Sequence, residues 1–184
     1  MKLLTFTCFI AFWSLSEGSL GWDGIQAVDV AGFKCLAENG FSFYIARVWR
    51  SIGSADPTGI QNIKNARKAG WKYVDGYIFP CFKKSCGSAK YQMDIEIQEW
   101  PADKSANQAF ITDMVQQAEA MGTIIVGTDW KEVADKPLWY AHWDEQQNFD
   151  GFKAFGGWTK PAIHQFEGDV KGPCGVSMDK NWYP

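Results

Sequence analysis

The stretch "IQAVDVAGFKCLAENGFSFYIARVW", residues 25–49, decides the fold. It opens with a mostly apolar run, Ile25 to Val30, of the kind that is typical of a strand. A short helix is predicted around Phe33 to Glu38, ended by Gly40, and a second strand from Phe41 to Trp49. Strand, helix and strand in this order form the first unit of a parallel sheet.

The same alternation continues along the chain and weakens towards its end. Helices are predicted over Ile60 to Ala69 and over Ser105 to Gly122, the second with a clear apolar stripe. The further predicted strands are "WKYVDGYIF", "YQMDIEI", "TIIVG", "PLWYAHW", "PAIHQF" and "VSMDKNW". This pattern predicts an α/β fold, a TIM-like barrel of mostly parallel strands with an irregular closing third. An open doubly wound sheet is the alternative, although the first turn lacks the Gly-x-Gly-x-x-Gly of dinucleotide sites.

The chain begins with a segment that has the features of a secretory signal peptide. Lys2 is followed by an apolar run, Leu3 to Trp13, and then by small residues. A membrane anchor needs about 20 apolar residues, and this run is much shorter. We therefore expect a signal peptide over residues 1–19, with an approximate cleavage point, and a secreted protein.

The remaining residues, 20–184, are expected to form one domain. A chain of 184 residues, of which 46% are apolar, can bury one sizeable core. The formal net charge is −3 and no basic block is present, so neither nucleic acid nor a membrane is an expected partner. We expect a monomer.

Four cysteines remain once Cys8 leaves with the signal peptide, and an exported protein is expected to pair them. Four cysteines allow three pairings. We favour Cys81 with Cys86, which closes the loop "CFKKSC", and Cys35 with Cys174, which ties the first helix to the last strand. A zinc site is the weaker alternative, because no second close pair of cysteines or histidines completes a set of four ligands.

The predicted strand in "YQMDIEIQEW", residues 91–100, carries two acids within an apolar run. Asp94 and Glu96 are two residues apart and share one face of the strand, while the apolar residues share the other. In a barrel this arrangement turns both acids into the lumen, near the carboxyl end where such barrels have their active sites. An edge strand whose polar face meets water fits the spacing equally well.

Two inward acids on one strand have consequences for their protonation. At about 6.6 Å apart, two carboxylates repel by about 2.5 kcal/mol at an effective dielectric constant near 20. One of them can therefore keep its proton, and we assign Glu96 as the acid and Asp94 as its ionised neighbour. Such a split pair is what glycoside cleavage requires.

Aromatic residues are the second sign of a sugar ligand. They make up 16% of the chain, and flat rings with polar edges suit sugar faces as well as protein cores. We assign Trp100, Trp139 and Tyr77 to substrate binding. His142 and His164 lie on predicted strands without a nucleophile motif, so we expect both to be structural.

Several segments together resemble one known family. The strand acid in "AVDV", the "DIE" pair, "PLWYAHWD", "GGWTKPAIHQF" and "CGVSMDKNWY" are similar to lysozymes of glycoside hydrolase family 25, in particular the branch of nematodes and some protists. The resemblance implies a (β/α)₅(β)₃ barrel with no metal or other cofactor. It also implies cleavage of the β-1,4 bond between N-acetylmuramic acid and N-acetylglucosamine in peptidoglycan.

The resemblance also implies roles for individual acids. Glu96 resembles the general acid, and Asp94 resembles the residue that orients the acetamido group of the substrate or stabilises the oxocarbenium-like state. Asp29 and Asp179 resemble the other acidic residues of the pocket.

One segment departs from the family pattern. Only Cys81 to Lys90 lies between "YIFP" and "YQMDIE", whereas a parallel crossover with its helix takes about ten to twelve residues or more. We therefore expect the barrel to lack one outer helix. The sequence predicts a lysozyme of innate defence or of digestion of bacteria, and the alternative is a weakened or inactive relative that binds glycans.

Overall fold

The structure is a computed structural model that describes residues 18–81, 83–86, 125–126 and 134–184. Its helices are α1 (Val30–Glu38) and α2 (Pro57–Lys68). Its strands are β1 (Ser19–Gly24), β2 (Phe41–Arg50), β3 (Ser54–Ala55), β4 (Tyr73–Ile78), β5 (Ile125–Val126), β6 (Leu138–Ala141), β7 (Ile163–Lys171) and β8 (Ser177–Tyr183).

The strands form one curled sheet. Its order is β3-β2-β1-β8-β7-β6-β5, and β4 also pairs with β2. The pairs β1–β2, β2–β4, β5–β6 and β6–β7 are parallel, whereas β8 is antiparallel to both of its neighbours, β1 and β7. The predicted TIM-like α/β class, with an irregular closing third, is thus confirmed in the described part of the chain.

The first strand differs from its prediction. The predicted strand Ile25 to Val30 is wrong, because β1 ends at Gly24 and the residues up to Asp29 form a loop. Asp29 is the N-cap of α1, and its Oδ1 accepts a hydrogen bond from the backbone N–H of Gly32 at 2.7 Å. A carboxylate at this position satisfies a backbone donor that the first helical turn leaves open.

A buried amide fixes the loop between β1 and α1. Asn62, on α2, is 1% exposed. Its Oδ1 accepts from the backbone N–H of Val28 at 2.9 Å, and its Nδ2 donates to the carbonyl of Gln26 at 2.8 Å. Side-chain bonds thus replace the strand ladder here, which is why an apolar run forms a loop rather than a strand.

The main core lies between the helices and the outer face of the sheet. Trp22, Phe33 and Tyr44 are fully buried there, and the rings of Trp22 and Tyr44 stack with centroids 4.3 Å apart. A second cluster covers the inner face of the sheet and consists of Phe43, Ile45, Trp139 and Ile163, with Tyr77 packed against it.

Both favoured disulfides are confirmed. Cys81 pairs with Cys86, and Cys35 on α1 pairs with Cys174 in the turn before β8, across 139 residues of sequence. In the entropic account, closing a loop of that length stabilises the fold by about 5 kcal/mol.

Two further expectations concern the membrane and the outer helices. Among the described residues, no helix is long and apolar enough to cross a membrane. The predicted helix Ser105 to Gly122 and the missing outer helix concern residues outside the described ranges.

Candidate active site

The candidate site lies on the inner face of the sheet, at the end where the parallel strands terminate. Asp23 is the penultimate residue of β1, and Asp179 on β8 lies directly opposite it in the antiparallel pairing. Directly paired residues in a sheet have side chains on the same face. The two carboxylates are therefore close neighbours, contributed by strands from the two ends of the chain.

Two amide side chains hold the carboxylate of Asp23. Gln165 on β7 donates from Nε2 to Oδ1 of Asp23 at 2.8 Å, and Asn181 on β8 donates from Nδ2 to the same oxygen at 2.7 Å. All three side chains are buried. Both donors favour the ionised carboxylate, while its burial disfavours it.

Two indoles fix the orientation of these amides. Trp139 donates from Nε1 to Oδ1 of Asn181 at 2.7 Å, and Trp143 donates from Nε1 to Oε1 of Gln165 at 3.0 Å. An indole N–H can only donate, so each amide must turn its oxygen towards its tryptophan. The NH₂ group of each amide then faces Asp23, and the direction of both hydrogen bonds is settled.

The surroundings of Asp23 bring the pKa of its carboxyl group close to neutral pH. Burial, opposed by the hydrogen bonds from Asn181 and Gln165 and reinforced by the charge of Asp179, raises the pKa of Asp23 to about 7. Below that pH the group carries a proton and can donate it, and above that pH it is an acceptor.

Asp179 is less buried and is held mainly by the backbone. Its Oδ1 accepts from the N–H of Asp169 at 2.6 Å, and its Oδ2 lies 3.4 Å from Nε2 of Gln165. Burial, together with the negative charge of Asp169, raises the pKa of Asp179 above its ordinary value. The amide of Gln165 thus contacts the carboxylates of both acids.

Tyr77 closes the inner cluster on the side of β4. Its ring meets that of Trp139 edge-on, with centroids 5.5 Å apart. Burial, and then the charge of Asp23, raises the pKa of Tyr77, so its hydroxyl stays protonated at any physiological pH. Arg47 on β2 pairs in register with Tyr77, and its guanidinium binds Asp56 at 2.8 Å.

The structure brings together some of the sequence-predicted site residues. Asp179, Tyr77 and Trp139 lie on the inner face around the acids, whereas Asp29 caps α1 and takes no part in this cluster. The acid of β1 is Asp23, which the sequence prediction missed because it placed the strand six residues too late. An aspartate directly before a helix is a typical N-cap, and this signal was available for Asp29.

Three predicted site residues, Asp94, Glu96 and Trp100, lie outside the described residues, so their assigned roles stay predictions. Two residues of the site, Gln165 and Asn181, were not predicted from the sequence. Asn181 has a sequence signal, since it alternates with Asp179 in "VSMDKNW" and so shares its face.

One histidine cluster resembles a metal site by composition alone. His142, Asp144 and His164 offer ligand atoms within 4.8 Å of one another. However, the two ring nitrogens of buried His164 each lie 2.7 Å from a backbone carbonyl, that of Asn148 and that of His142. A metal ion would have to break one of these contacts, so the cluster is a poor fit for a metal and holds the loop after β6 in place.

Comparison with known proteins shows the relationships of the chain. A family model described as Lysozyme-like protein 1 matches residues 16–99 and 93–166. Lysozyme-like protein 5 of Caenorhabditis elegans is 39% identical over 215 aligned positions that cover 100% of both chains. Probable GH family 25 lysozyme 4 of Dictyostelium discoideum is 36% identical, with 96% of this chain and 95% of the relative covered.

Solved structures share the fold. A bacterial lysozyme from Streptomyces coelicolor superimposes with a TM-score of 0.69 at 17% identity, covering 91% of this chain and 93% of the other. A muramidase from Trichobolus zukalii gives 0.66 at 18% identity, covering 90% and 93%.

The match to the family model falls into two segments, and the alignment with one relative is longer than this chain. The two segments that match the family model meet at residues 93–99, the stretch that carries Glu96. The alignment with the C. elegans protein runs over 215 positions, more than the 184 residues of this chain, so that relative has residues without a counterpart here. The chain belongs to the glycoside hydrolase family 25 lysozymes and lysozyme-like proteins.

Proposed function

We propose that the protein is a secreted lysozyme that hydrolyses the β-1,4 bonds between N-acetylmuramic acid and N-acetylglucosamine in bacterial peptidoglycan. Its role would be innate defence or the digestion of bacteria. The observation that carries the proposal is the buried Asp23, oriented by two amides beside Asp179 at the end of the sheet where the parallel strands terminate.

The proposed mechanism divides the work among four acids. Glu96 donates a proton to the leaving glycosidic oxygen, and Asp94 stabilises positive charge at the sugar carbon or orients the acetamido group. Asp23 and Asp179 add negative charge and hydrogen-bond acceptors to the site. The oriented amides support this role, because a fixed acceptor loses no reorganisation energy when positive charge develops.

The experiment compares matched carboxylate variants on suspended bacterial cell walls. Wild type is expected to lower the turbidity, and Glu96→Gln is expected to leave it unchanged. Asp23→Asn is expected to slow clearing by about a hundredfold, the scale on which losing one preorganised electrostatic contact acts. Asp150→Asn removes an exposed carboxylate that does not belong to the cluster around Asp23 and should clear like wild type.

The result for Glu96→Gln decides the mechanism. Clearing at the wild-type rate by this variant would remove Glu96 from the reaction. Release of new reducing ends, measured alongside turbidity, separates bond cleavage from mere dispersal of the cell walls.

A second function is favoured by one observation, the break in the family match at the "DIE" stretch. A displacement of the acids by about 1 Å can cost about a hundredfold in rate, so a shortened segment there favours a glycan-binding protein with little or no turnover. Calorimetric binding of soluble cell-wall fragments without release of reducing ends would identify this function. Release of reducing ends by wild type, lost in Glu96→Gln, would exclude it.

A further inference from the structure

The edge of the sheet that carries the candidate site has an apolar rim. Four large apolar side chains that are exposed each follow the carboxyl end of a parallel strand by one or two residues. They are Ile25 after β1, Ile52 after β2, Phe79 after β4 and Trp143 after β6. Exposed apolar side chains gathered at one edge mark a surface for a ligand.

Trp143 differs from the other three because its ring is fixed. Its indole N–H donates to Oε1 of Gln165 at 3.0 Å. The ring also lies against the backbone of Gly168, so closely that a Cβ at that position would overlap it. Even so, 55% of the residue remains exposed. A fixed and exposed indole is a platform for the apolar face of a sugar ring.

The same hydrogen bond connects the rim with the acids. Because the indole N–H can only donate, Oε1 of Gln165 must face Trp143, and Nε2 must face Asp23. Without the indole N–H, Oε1 of Gln165 loses the donor that holds it, and the amide can move out of the orientation in which Nε2 donates to Asp23. Trp143 therefore helps to hold one of the two hydrogen bonds that Asp23 receives.

We propose that Trp143 is a sugar-stacking residue at the mouth of the site and, through Gln165, a positioning residue for Asp23. The ligand is the apolar face of a pyranose ring in a β-1,4-linked N-acetylated glycan, so this part rests on the proposed function. The link to Asp23 does not, because it depends only on contacts within the chain.

The titratable surroundings of Asp23 are defined on every side that the structure describes. Asp179 lies opposite it on β8, and burial, together with the charge of Asp23, raises the pKa of Tyr77, on β4, and of Tyr44, in the core on the outer face of the sheet. Arg47 on β2 acts on Tyr77, and Gln165 is the contact from β7. Trp143→Phe changes none of these charges, so a shift in the titration of Asp23 in that variant reports the amide alone.

The first experiment follows the carboxyl carbon of Asp23 by NMR during a pH titration of the intact, disulfide-bonded protein. Trp143→Phe keeps the ring and removes the N–H, and should move the Asp23 midpoint up by about half a unit to one unit, the effect of one lost hydrogen bond. Phe79→Ala is the matched control: it removes an exposed rim aromatic of 54% exposure with no bond to the cluster and should leave the midpoint in place. An unchanged midpoint in Trp143→Phe would overturn the positioning role.

The second experiment measures hydrolysis of soluble peptidoglycan fragments. Trp143→Ala removes the ring on which the sugar stacks and should raise KM by about tenfold. Trp143→Phe keeps a ring and should leave KM within about twofold of the wild-type value. It should also move the pH dependence of kcat/KM in the same direction as the NMR midpoint of Asp23. Equal KM values for Trp143→Ala and wild type would overturn the stacking role. Absence of hydrolysis by wild type would count against the proposed function, while the NMR titration would still decide the link to Asp23.

Discussion

Replacing Asp23 by asparagine should change how stability depends on pH. Burial raises the pKa of this carboxyl from an ordinary value of 3.8 to about 7. A raised folded-state pKa stabilises the fold at low pH, and this contribution is lost as pH rises through the folded-state value. Each pH unit between the two values costs about 1.4 kcal/mol, so wild type should lose about 2 to 3 kcal/mol of unfolding free energy from this group between pH 5 and pH 8.

Asparagine at this position cannot ionise and can keep both hydrogen bonds. Gln165 and Asn181 donate to one oxygen of Asp23, Oδ1, which an asparagine retains as an acceptor. Asp23→Asn should therefore gain about 2 to 3 kcal/mol relative to wild type between pH 5 and pH 8. Its free energy of unfolding should exceed that of wild type most clearly at pH 8, even though the variant loses activity.

The assay is urea unfolding at pH 5, 6, 7 and 8 with the disulfides intact, followed by tryptophan fluorescence. Asp29→Asn is the control for a lost charge, because asparagine is an equally good N-cap. The charge of Asp179 helps to raise the pKa of Asp23. Asp179→Asn should therefore slightly lessen the pH dependence of the unfolding free energy. Parallel stability profiles for wild type and Asp23→Asn would refute the reasoning.

Four further changes test the architecture around the site. Replacing Cys35 and Cys174 by serine should lower the unfolding free energy by about 4 to 5 kcal/mol, against about 2 kcal/mol for removing the disulfide of the short loop, as measured by urea midpoints. Asn62→Ala removes the partner of the buried N–H of Val28 and of the carbonyl of Gln26, and should cost about 2 to 4 kcal/mol by thermal unfolding. Asp56→Ala removes both the N-cap of α2 and the buried partner of Arg47, and should cost about 3 kcal/mol in the same assay.

Most of the described fold could be predicted from local patterns of apolar residues in the sequence. The strand predicted from Phe41 to Trp49 agrees with β2 to within one residue, because its apolar residues serve two clusters, one on each face. The prediction for β1 failed because "SLGWDG" has few apolar residues. Gly21 is small because the ring of Phe43 lies where its side chain would be, and a sequence does not show such a contact.

The site was less predictable for a related reason. Asp179 and Trp139 carry recognisable chemistry, but Gln165 and Asn181 acquire their roles only from partners distant in sequence, with Gln165 and Asp23 separated by 142 residues. Spacing along one strand shows which face a side chain occupies. It does not show which strand lies opposite, and that pairing makes the amides donors to Asp23.

Because β8 lies between β1 and β7, the candidate site can form only long after β1 has been synthesised. The strand β1 leaves the ribosome with one edge open, and its antiparallel partner β8 is translated much later, because Asn181 follows Asp23 by 158 residues. Until those residues emerge, Asp23 has neither Asn181 nor Asp179 beside it. A nascent chain halted before β8 would therefore carry an unpaired edge and lack Asp179, so the candidate site can form only after β8 has been synthesised.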